Sequence, residues 1–396
     1  MADTKTRNPS VRQRRANTLR RTGLAEKYRI PLDAPRPVFY AILAVVAAFV
    51  MLGLVMVLSS SSITNLHDGD SAWSYFRRQL LWASIGSGLM WIAFKTPYEA
   101  WTKFRNLSLF VGVVVALNMA VIVKGEVIND ARAWLDIGPI RVQPSEFMKI
   151  AMVLFSANLL SRRHRSVKIP QMVLMPMLCV IGVTGVLCVG QRDYGSAVIF
   201  VGTALAMMYI GGIPNRQLIP AAGLLSVLGV LILFKGGNAS ERMMAFLNLE
   251  AMKEDSGYQV YQSLLSIANG GLSGTGIGSG TSKWGYVPLA HSDFIFAVIA
   301  EELGLFGTAL VTGGFFLLIL LGVNVALHAR DKHGALIAGG VSAWFGIQAA
   351  VNIGGVVGMM PMTGLTLPFL SYGGSSLMAT MFASGLLLNV ARRMRD

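Results

Sequence analysis

Ten stretches of this chain are apolar and long enough to be considered as membrane spans, and they constrain its fold more than any other feature. A helix needs about 20 apolar residues to cross roughly 30 Å of hydrocarbon. The second stretch is short, and the eighth is so long that it requires a tilt or a break at Gly304 or Gly307. With 54% hydrophobic and 14% charged residues, the sequence predicts an all-α polytopic membrane protein. The ten stretches are 38–58, 79–94, 107–123, 146–161, 172–189, 195–213, 217–234, 294–324, 335–357 and 375–391.

The distribution of Lys and Arg sets the predicted topology. If the N-terminus is cytoplasmic, 23 of the 34 basic residues fall in the N-terminal tail, the cytoplasmic loops and the C-terminal end. This is the bias that the positive-inside rule describes. An even number of spans then places both termini in the cytoplasm. The net charge of +14 is therefore a topology signal first. We expect the tail to meet anionic lipid or a cytoplasmic partner, and no nucleic acid.

The chain divides into three predicted parts. Residues 1–37 form a basic cytoplasmic tail with few apolar groups, for which disorder is expected. Residues 38–391 form the ten-helix membrane domain, and residues 392–396 form the cytoplasmic end. The large outer loop, residues 235–293, connects the seventh and eighth spans, and its segment 257–268 has the pattern of an amphipathic helix on the membrane surface. Because the cytoplasmic loops are short, chemistry is expected on the outer face.

Asp293 is the most informative ionisable residue, because it closes the large outer loop and directly precedes the eighth apolar span. A carboxylate at that junction can act on a substrate whose tail stays in lipid while its head is polar. The alternative is that Asp293 caps the eighth helix, since Asp is a favoured N-cap residue. His291 lies two residues earlier and is a candidate ligand or base, but a single His makes a poor metal site.

Other ionisable residues lie at or inside the spans, where they are costly and are usually paired or functional. Glu146 and Lys149, on one helical face, fit either a structural ion pair or a substrate contact. Asp193, in a tight outer turn, fits an N-cap of the sixth span. Glu301 and Glu302 lie inside the eighth span on adjacent faces, so at least one of them must meet a polar partner.

Outer-loop cations and a Trp provide groups for holding a polar head. They are Arg132, Trp134, Arg141, Arg242 and Lys283. Diphosphates are commonly held by Arg and Lys, so these residues and an outward carboxylate fit a lipid-linked sugar diphosphate. The glycines between residues 270 and 285 do not have the spacing of a nucleotide-binding loop. No metal motif and no cofactor are evident, although a divalent cation bridging Asp293 and a diphosphate stays open.

Four motifs carry a family resemblance. They are Gln143-Pro-Ser-Glu-Phe-Met-Lys149, Arg242-Met-Met-Ala-Phe-Leu247, the loop end AHSDFIFAVIAEELG, and Leu367-Pro-Phe-Leu-Ser-Tyr-Gly-Gly-Ser-Ser376. In this order, from the first span to the last, they resemble the SEDS proteins, the family of FtsW, RodA and SpoVE. One departure is Gln191-Arg-Asp-Tyr-Gly195, where the family usually has Gln-Pro-Asp-Leu-Gly, so Arg192 is an added cation.

The resemblance implies a ten-helix peptidoglycan glycosyltransferase that polymerises lipid II at the outer leaflet of the bacterial inner membrane. It implies a class B penicillin-binding transpeptidase (FtsI-like) as partner, with other division-complex membrane proteins. Asp293 matches the family's essential loop aspartate, for which we predict the role of general base. Substrate contacts are predicted for Arg132, Trp134, Glu146, Lys149, Arg242, Lys283 and His291, with Lys149, Arg132 and Arg242 steadying the leaving diphosphate.

Three functional alternatives remain at this stage. The segments beginning at Asn352 and Pro361 read more like division members of the family, at the septum, than like RodA-type elongation members. A lipid II flippase would fit ten spans and buried Glu and Lys residues, but it needs a polar path that most spans lack. A scaffold that binds and activates the transpeptidase is the third possibility. The concentration of polar residues at the outer face favours the enzyme.

Overall fold

The structure is a computed structural model that describes residues 36–67, 69–128, 131–138, 140–233 and 238–394. The predicted basic tail therefore lies outside the described residues, apart from its last two positions. In chain order the helices are α1 (Pro37–His67), α2 (Ser74–Lys95), α3 (Tyr98–Trp101), α4 (Phe104–Lys124), α5 (Pro144–Arg162), α6 (Leu174–Gly190), α7 (Tyr194–Gly211), α8 (Asn215–Leu233), α9 (Asn238–Leu247), α10 (Tyr258–Gly270), α11 (Ile295–Leu327), α12 (Lys332–Val356) and α13 (Gly374–Ala391).

All of these helices except α3, α9 and α10 coincide with predicted spans, which confirms the polytopic helical fold. By length and composition, α1, α4, α7, α8, α11, α12 and α13 can each cross a membrane, and α6 is apolar but shorter. The helices differ in burial. α13 is buried nearly all round and packs against α2, whereas α8 is almost fully exposed in the described chain. The core of the bundle therefore surrounds α13 and α12.

The predicted break in the eighth span occurs at Gly304, where φ is 65° and ψ is −159°. The helix carbonyls freed there do not stay unpaired. Thr275 N donates to Glu301 O at 2.9 Å, and Gly276 N donates to Glu302 O at 3.0 Å. In return, Leu305 N donates to Gly271 O at 3.0 Å. The glycine-rich part of the outer loop thus satisfies the backbone groups of the broken helix, as apolar surroundings demand.

A small sheet in the connection between α4 and α5 was not predicted. Its antiparallel strands, in the order β1-β2-β3, are β1 (Glu126–Ile128), β2 (Ala131–Ile137) and β3 (Ile140–Val142). The side chain of Arg141 donates to Glu126 and to Asp136, each at 2.9 Å, across the sheet. Gly138 lies in the turn between β2 and β3 with a φ of 63°, and a glycine at this position is a sequence signal for such a turn. Strands this short are easily missed beside long apolar helices.

The predicted helix in the large outer loop is confirmed as α10, and it packs on the bundle. Ser263, Ser266 and Gly270 are the buried positions, and the hydroxyl of Ser263 donates to Val356 O at 2.8 Å. Leu265, on the predicted apolar face, is 49% exposed. The helix therefore attaches to α11 and α12 through small residues and part of its apolar surface, and turns Leu265 outward.

Candidate functional site

Asp293 lies in a turn that precedes α11 and does not cap the helix. The turn is formed by Leu289, which has a φ of 57° and accepts hydrogen bonds from the amides of Ser292 and Phe294. The helix begins at Ile295, its N-cap position is Phe294, and no side chain caps it. The capping alternative for Asp293 is therefore wrong. The half-buried carboxylate is available for another role.

The surroundings of Asp293 adjust its proton affinity. The pKa of Asp293 is raised to about 6, mainly by burial and to a smaller extent by the charge of Asp193. The charge of Arg242 and a hydrogen bond from Ser292 act in the opposite direction and lower this pKa. A carboxylate with a pKa near 6 is largely ionised at neutral pH and still has useful basicity. These are the properties expected of a general base.

Arg242 and Asp293 border the same small space. A methyl group placed on the α-carbon of Gly364 would lie 3.5 Å from Nη1 of Arg242 and 3.7 Å from Oδ2 of Asp293. The φ of Gly364 is 70°, a backbone conformation that favours glycine. Sequence reasoning selected Arg242 and Asp293 separately. The structure brings both side chains to the space beside Gly364.

Arg242 also lines a shallow, open groove. The groove lies between α9, α10 and the segment that follows α12. Its wall is mainly apolar and includes Phe246, Leu249, Val260, Met360 and Met362. A cation at one side of an apolar groove suits an amphiphile with an anionic head.

The segment 358–374 is fastened directly to the chain around Asp293. Nδ2 of Asn352 donates to Asp293 O at 2.9 Å and to Leu365 O at 2.6 Å. The hydroxyl of Ser371 donates to Ser292 O at 2.6 Å. These contacts join α12, the 358–374 segment and the end of the large loop. Neither Asn352 nor Ser371 was assigned a role from sequence.

His291 belongs to an aromatic cluster beside the site. Its ring lies 4.7 Å from Tyr75 and 5.6 Å from Tyr372, measured between centroids. Burial lowers the pKa of His291 to about 4, so the imidazole is neutral at physiological pH. Burial raises the pKa of Tyr372, whereas the charges of Arg78 and Arg141 lower it. The cluster therefore has cations at its edge, and Arg78 was missed from sequence.

Glu146 and Lys149 form the predicted ion pair, with Nζ 2.7 Å from Oε1, and both are buried. Lys149 Nζ also donates to Oε1 of Gln348 at 3.0 Å, and Gln348 Nε2 donates to Thr366 O at 2.8 Å. The ring of Trp344 lies 5.5 Å from the same ammonium. The pair is thus part of a buried network that reaches the 358–374 segment.

Asp193 caps α7, as predicted. Its Oδ1 accepts from Ser196 N at 3.0 Å, and its Oδ2 accepts from the hydroxyl of Ser145 at 3.2 Å. The preceding residue, Arg192, has a φ of 59°. The capping role accounts for this aspartate without any substrate contact.

Glu301, Glu302 and Lys283 lie in a different cluster, at the break in α11. Glu301 accepts from the amide and hydroxyl of Thr281, from Asn269 Nδ2 at 2.9 Å, and from Ser282. Ser59 donates to the carboxylate of Glu302 at 2.7 Å. The ammonium of Lys283 donates to the carbonyl of Gly278 within the glycine-rich loop, and the residue is buried.

The remaining predicted contacts, Arg132 and Trp134, lie on β2. Arg132 N donates to Gln191 O at 2.8 Å, and its Nη1 donates to Ile122 O at 3.1 Å, while the side chain is exposed. Trp134 pairs with Glu126 across the sheet and is half-buried. Within the described residues, no group of three or more His, Cys, Asp or Glu side chains is arranged to hold a metal ion.

Comparison with known proteins identifies similar sequences over most of the chain. Residues 40–396 match the FtsW, RodA and SpoVE family, described as cell cycle proteins. Stage V sporulation protein E of Bacillus subtilis is 35% identical over 346 residues, which cover 87% of this chain and 94% of that protein. A probable peptidoglycan glycosyltransferase FtsW of Coxiella burnetii is 37% identical over 349 residues, which cover 86% and 92%.

Solved structures share the fold. A chain in a peptidoglycan synthase complex, described for its coordination of polymerization and crosslinking, aligns with a TM-score of 0.75 and 28% identity. That alignment covers 90% of this chain and 98% of the other. The rod shape determining protein RodA of Thermus thermophilus aligns with a TM-score of 0.67 and 26% identity, covering 92% and 99%. The similarity therefore extends over about nine tenths of this chain.

Proposed function

This chain belongs to the FtsW, RodA and SpoVE family of cell cycle proteins, and we propose that it is a peptidoglycan glycosyltransferase that polymerises lipid II at the outer leaflet. Relatives named as probable glycosyltransferases support the reaction. The observation that carries the site assignment is the half-buried carboxylate of Asp293, which caps no helix and has a pKa near 6. This carboxylate and Arg242 border the same space beside Gly364.

In the proposed reaction, Asp293 takes the proton from the acceptor sugar hydroxyl. The hydroxyl oxygen then forms a bond to the anomeric carbon of the growing strand, and the bond from that carbon to the diphosphate breaks. The electron pair leaves on polyprenyl diphosphate. Arg242 offsets the charge that develops on this leaving group, which is a large contribution in sites that exclude water. Both residues border one space, so base and cation act on the same substrate.

The other predicted contacts fit supporting roles. Lys149 is buried and already paired with Glu146 and Gln348, so we assign the direct diphosphate contact to Arg242. Arg132 and Trp134 stay predicted contacts for the outer part of the substrate. Neutral His291, packed between Tyr75 and Tyr372, suits a wall that faces a sugar better than it suits an anion site. A role for Lys283 requires it to leave the carbonyl of Gly278.

We propose a penicillin-binding transpeptidase as the partner and the bacterial inner membrane as the location. The fold is shared with a chain from a peptidoglycan synthase complex, which supports an assembly that couples polymerisation to crosslinking. Relatives named FtsW support a role in division at the septum, in place of RodA-type elongation. The excess of Lys and Arg in the predicted cytoplasmic segments fits a protein inserted in that membrane with both termini in the cytoplasm.

The test is lipid II polymerisation by the full chain, purified together with its transpeptidase. The expected products are glycan ladders and one polyprenyl diphosphate for each bond formed. A polymerase of known activity is the control for substrate quality. An intact complex that yields no ladder while this control works would contradict the enzyme and favour a flippase or a scaffold.

A further inference from the structure

Two carboxamide side chains one turn apart on α12 hold the 358–374 segment. Gln348 Nε2 donates to Thr366 O at 2.8 Å, and Asn352 Nδ2 donates to Leu365 O at 2.6 Å. Residues four apart on a helix lie on the same face, so the two amides bind consecutive peptide carbonyls of the 358–374 segment. The pair acts as a clamp on the backbone next to Gly364.

Asn352 differs from Gln348 in what else it holds. The same Nδ2 that binds Leu365 O also donates to Asp293 O at 2.9 Å. Both partners are carbonyl acceptors, so the orientation of the amide is fixed with nitrogen toward them. Asn352 thereby sets the separation between the peptide of Asp293 and the chain that carries Gly364, and a Cβ on Gly364 would lie close to both the Asp293 carboxylate and the Arg242 guanidinium.

We propose that Asn352 is a positioning residue for Asp293. The proposal rests on the function proposed above, in which Asp293 is the base. The carboxamide fixes the peptide that bears the carboxylate relative to Leu365, and so holds the base at the space beside Gly364 that Arg242 also borders. A displacement of about 1 Å in a reacting geometry lowers rates by up to roughly 100-fold. The Asn352 side chain is 5% exposed and touches the main chain of Asp293, without contacting its carboxylate in the described structure.

The chain contains a matched control for this role. Asn389 on α13 is 2% exposed, and its Nδ2 donates to the carbonyls of Ala93, Phe94 and Thr96 at 2.9, 2.8 and 2.6 Å. Like Asn352, it has a buried Oδ1 without a partner among the described residues. Asn389 ties α13 to the end of α2 at the cytoplasmic side. The two residues thus share chemistry and burial, and only Asn352 contacts the chain at Asp293.

The experiment compares Asn352→Ala, Asn352→Asp and Asn389→Ala in the full chain bound to its transpeptidase, with wild type and Asp293→Asn as references. Ladder formation gives kcat and KM for lipid II, and thermal denaturation reports folding. For Asn352→Ala we expect kcat to fall about 10- to 100-fold while KM changes less than about twofold. For Asn389→Ala we expect a lower thermal midpoint with kcat of the folded fraction unchanged.

Asn352→Asp keeps the shape of the side chain, so it is the second variant to test if Asn352→Ala does not fold. It removes the amide donors and places a carboxylate beside Asp293. A like charge raises the pKa of a carboxyl group, so the acid limb of the kcat profile should shift upward by about one pH unit. Because this shift follows from the added charge alone, the positioning role is judged from kcat per folded molecule at the pH optimum, which should fall in Asn352→Asp as it does in Asn352→Ala.

The outcomes separate the two proposals. A wild-type complex that makes no ladder, while a known polymerase does, removes the proposed function and with it the role of Asn352. If Asp293→Asn loses activity while both Asn352 variants keep a normal kcat, the positioning role is overturned and the proposed function stands. Equal losses of kcat per folded molecule in Asn352→Ala and Asn389→Ala also overturn the positioning role and leave a structural asparagine.

Discussion

Asp293 lies just before the start of α11, and Glu301 lies two turns inside this helix. The protein surrounds the two carboxylates in opposite ways. Glu301 accepts hydrogen bonds from Thr281, Ser282 and Asn269, and it is fully buried. Asp293 is half-buried, does not cap its helix, and faces Arg242 across the space at Gly364. A carboxylate whose lone pairs are saturated with donors holds structure, whereas one with unused lone pairs is available to take a proton.

The largest expected effect is that of Asp293→Asn. Replacing the base removes proton abstraction, which typically contributes 10²–10⁴-fold, so ladder formation should fall by about 1,000-fold. Because the amide is nearly isosteric and uncharged, the thermal midpoint and binding to the transpeptidase should stay within error of wild type. Quantified glycan ladders and co-purification measure the two quantities. An inactive variant that also loses its partner would assign Asp293 to assembly.

Arg242→Gln should have the next largest effect. Loss of a preorganised charge at a developing oxyanion costs about 10²–10³ in kcat. The charge of Arg242 lowers the pKa of Asp293, so its removal should also raise that pKa and move the acid limb of the pH profile to higher pH. The control is Lys253→Gln, because Lys253 pairs with Glu250 on the exposed surface of the same loop. A pH profile unchanged in Arg242→Gln would show that the two residues do not interact.

The wild-type protein should lose activity in acid as Asp293 takes up a proton. Burial raises the pKa of Asp293 to about 6, so the base form is present above that pH and disappears below it. Between pH 7 and pH 5, kcat/KM should fall by roughly tenfold. Initial rates of lipid II consumption at constant ionic strength measure the profile. Constant rates down to pH 4.5 would mean that Asp293 has an ordinary pKa or is not the base.

Glu301→Gln should have the smallest effect on chemistry and a clear effect on stability. The amide keeps one acceptor oxygen but leaves some of the donors from Thr281, Ser282 and Asn269 unpaired. Burying unpaired donors costs about 1–3 kcal/mol of unfolding free energy. The rate for each folded molecule should stay within about twofold of wild type, because Glu301 belongs to the break at Gly304 and not to the Asp293 space. Thermal denaturation with parallel activity assays separates the two effects.

The features that the sequence predicted correctly are local ones. Hydropathy located the spans, a long apolar run indicated the break at Gly304, and helical spacing indicated the Glu146–Lys149 pair. The cap formed by Asp193 also follows from a rule about neighbouring residues. Each of these depends on residues within one continuous segment of about 20 to 30 positions, so no tertiary information was needed.

The features that were missed depend on contacts between distant residues. Asn352 meets the peptide of Asp293 across 59 positions of sequence, and no local pattern announces such a bond. Lys283 was grouped with the outer cations, but the structure places its ammonium on Gly278 within the glycine-rich loop. Asp293 matched the rule for an N-cap, yet the helix begins at Ile295 because the turn at Leu289 continues through Phe294.

The most direct measurement compares Asp293→Asn with Glu301→Gln in one lipid II polymerisation assay, each in complex with the transpeptidase and corrected for the folded fraction. Both variants replace a carboxylate on the α11 region by its amide, so they differ only in the surroundings of that group. Loss of the glycan ladder in Asp293→Asn and its retention in Glu301→Gln is the predicted result. A ladder from Asp293→Asn and none from Glu301→Gln would contradict the assignment and place the reaction at the break in α11.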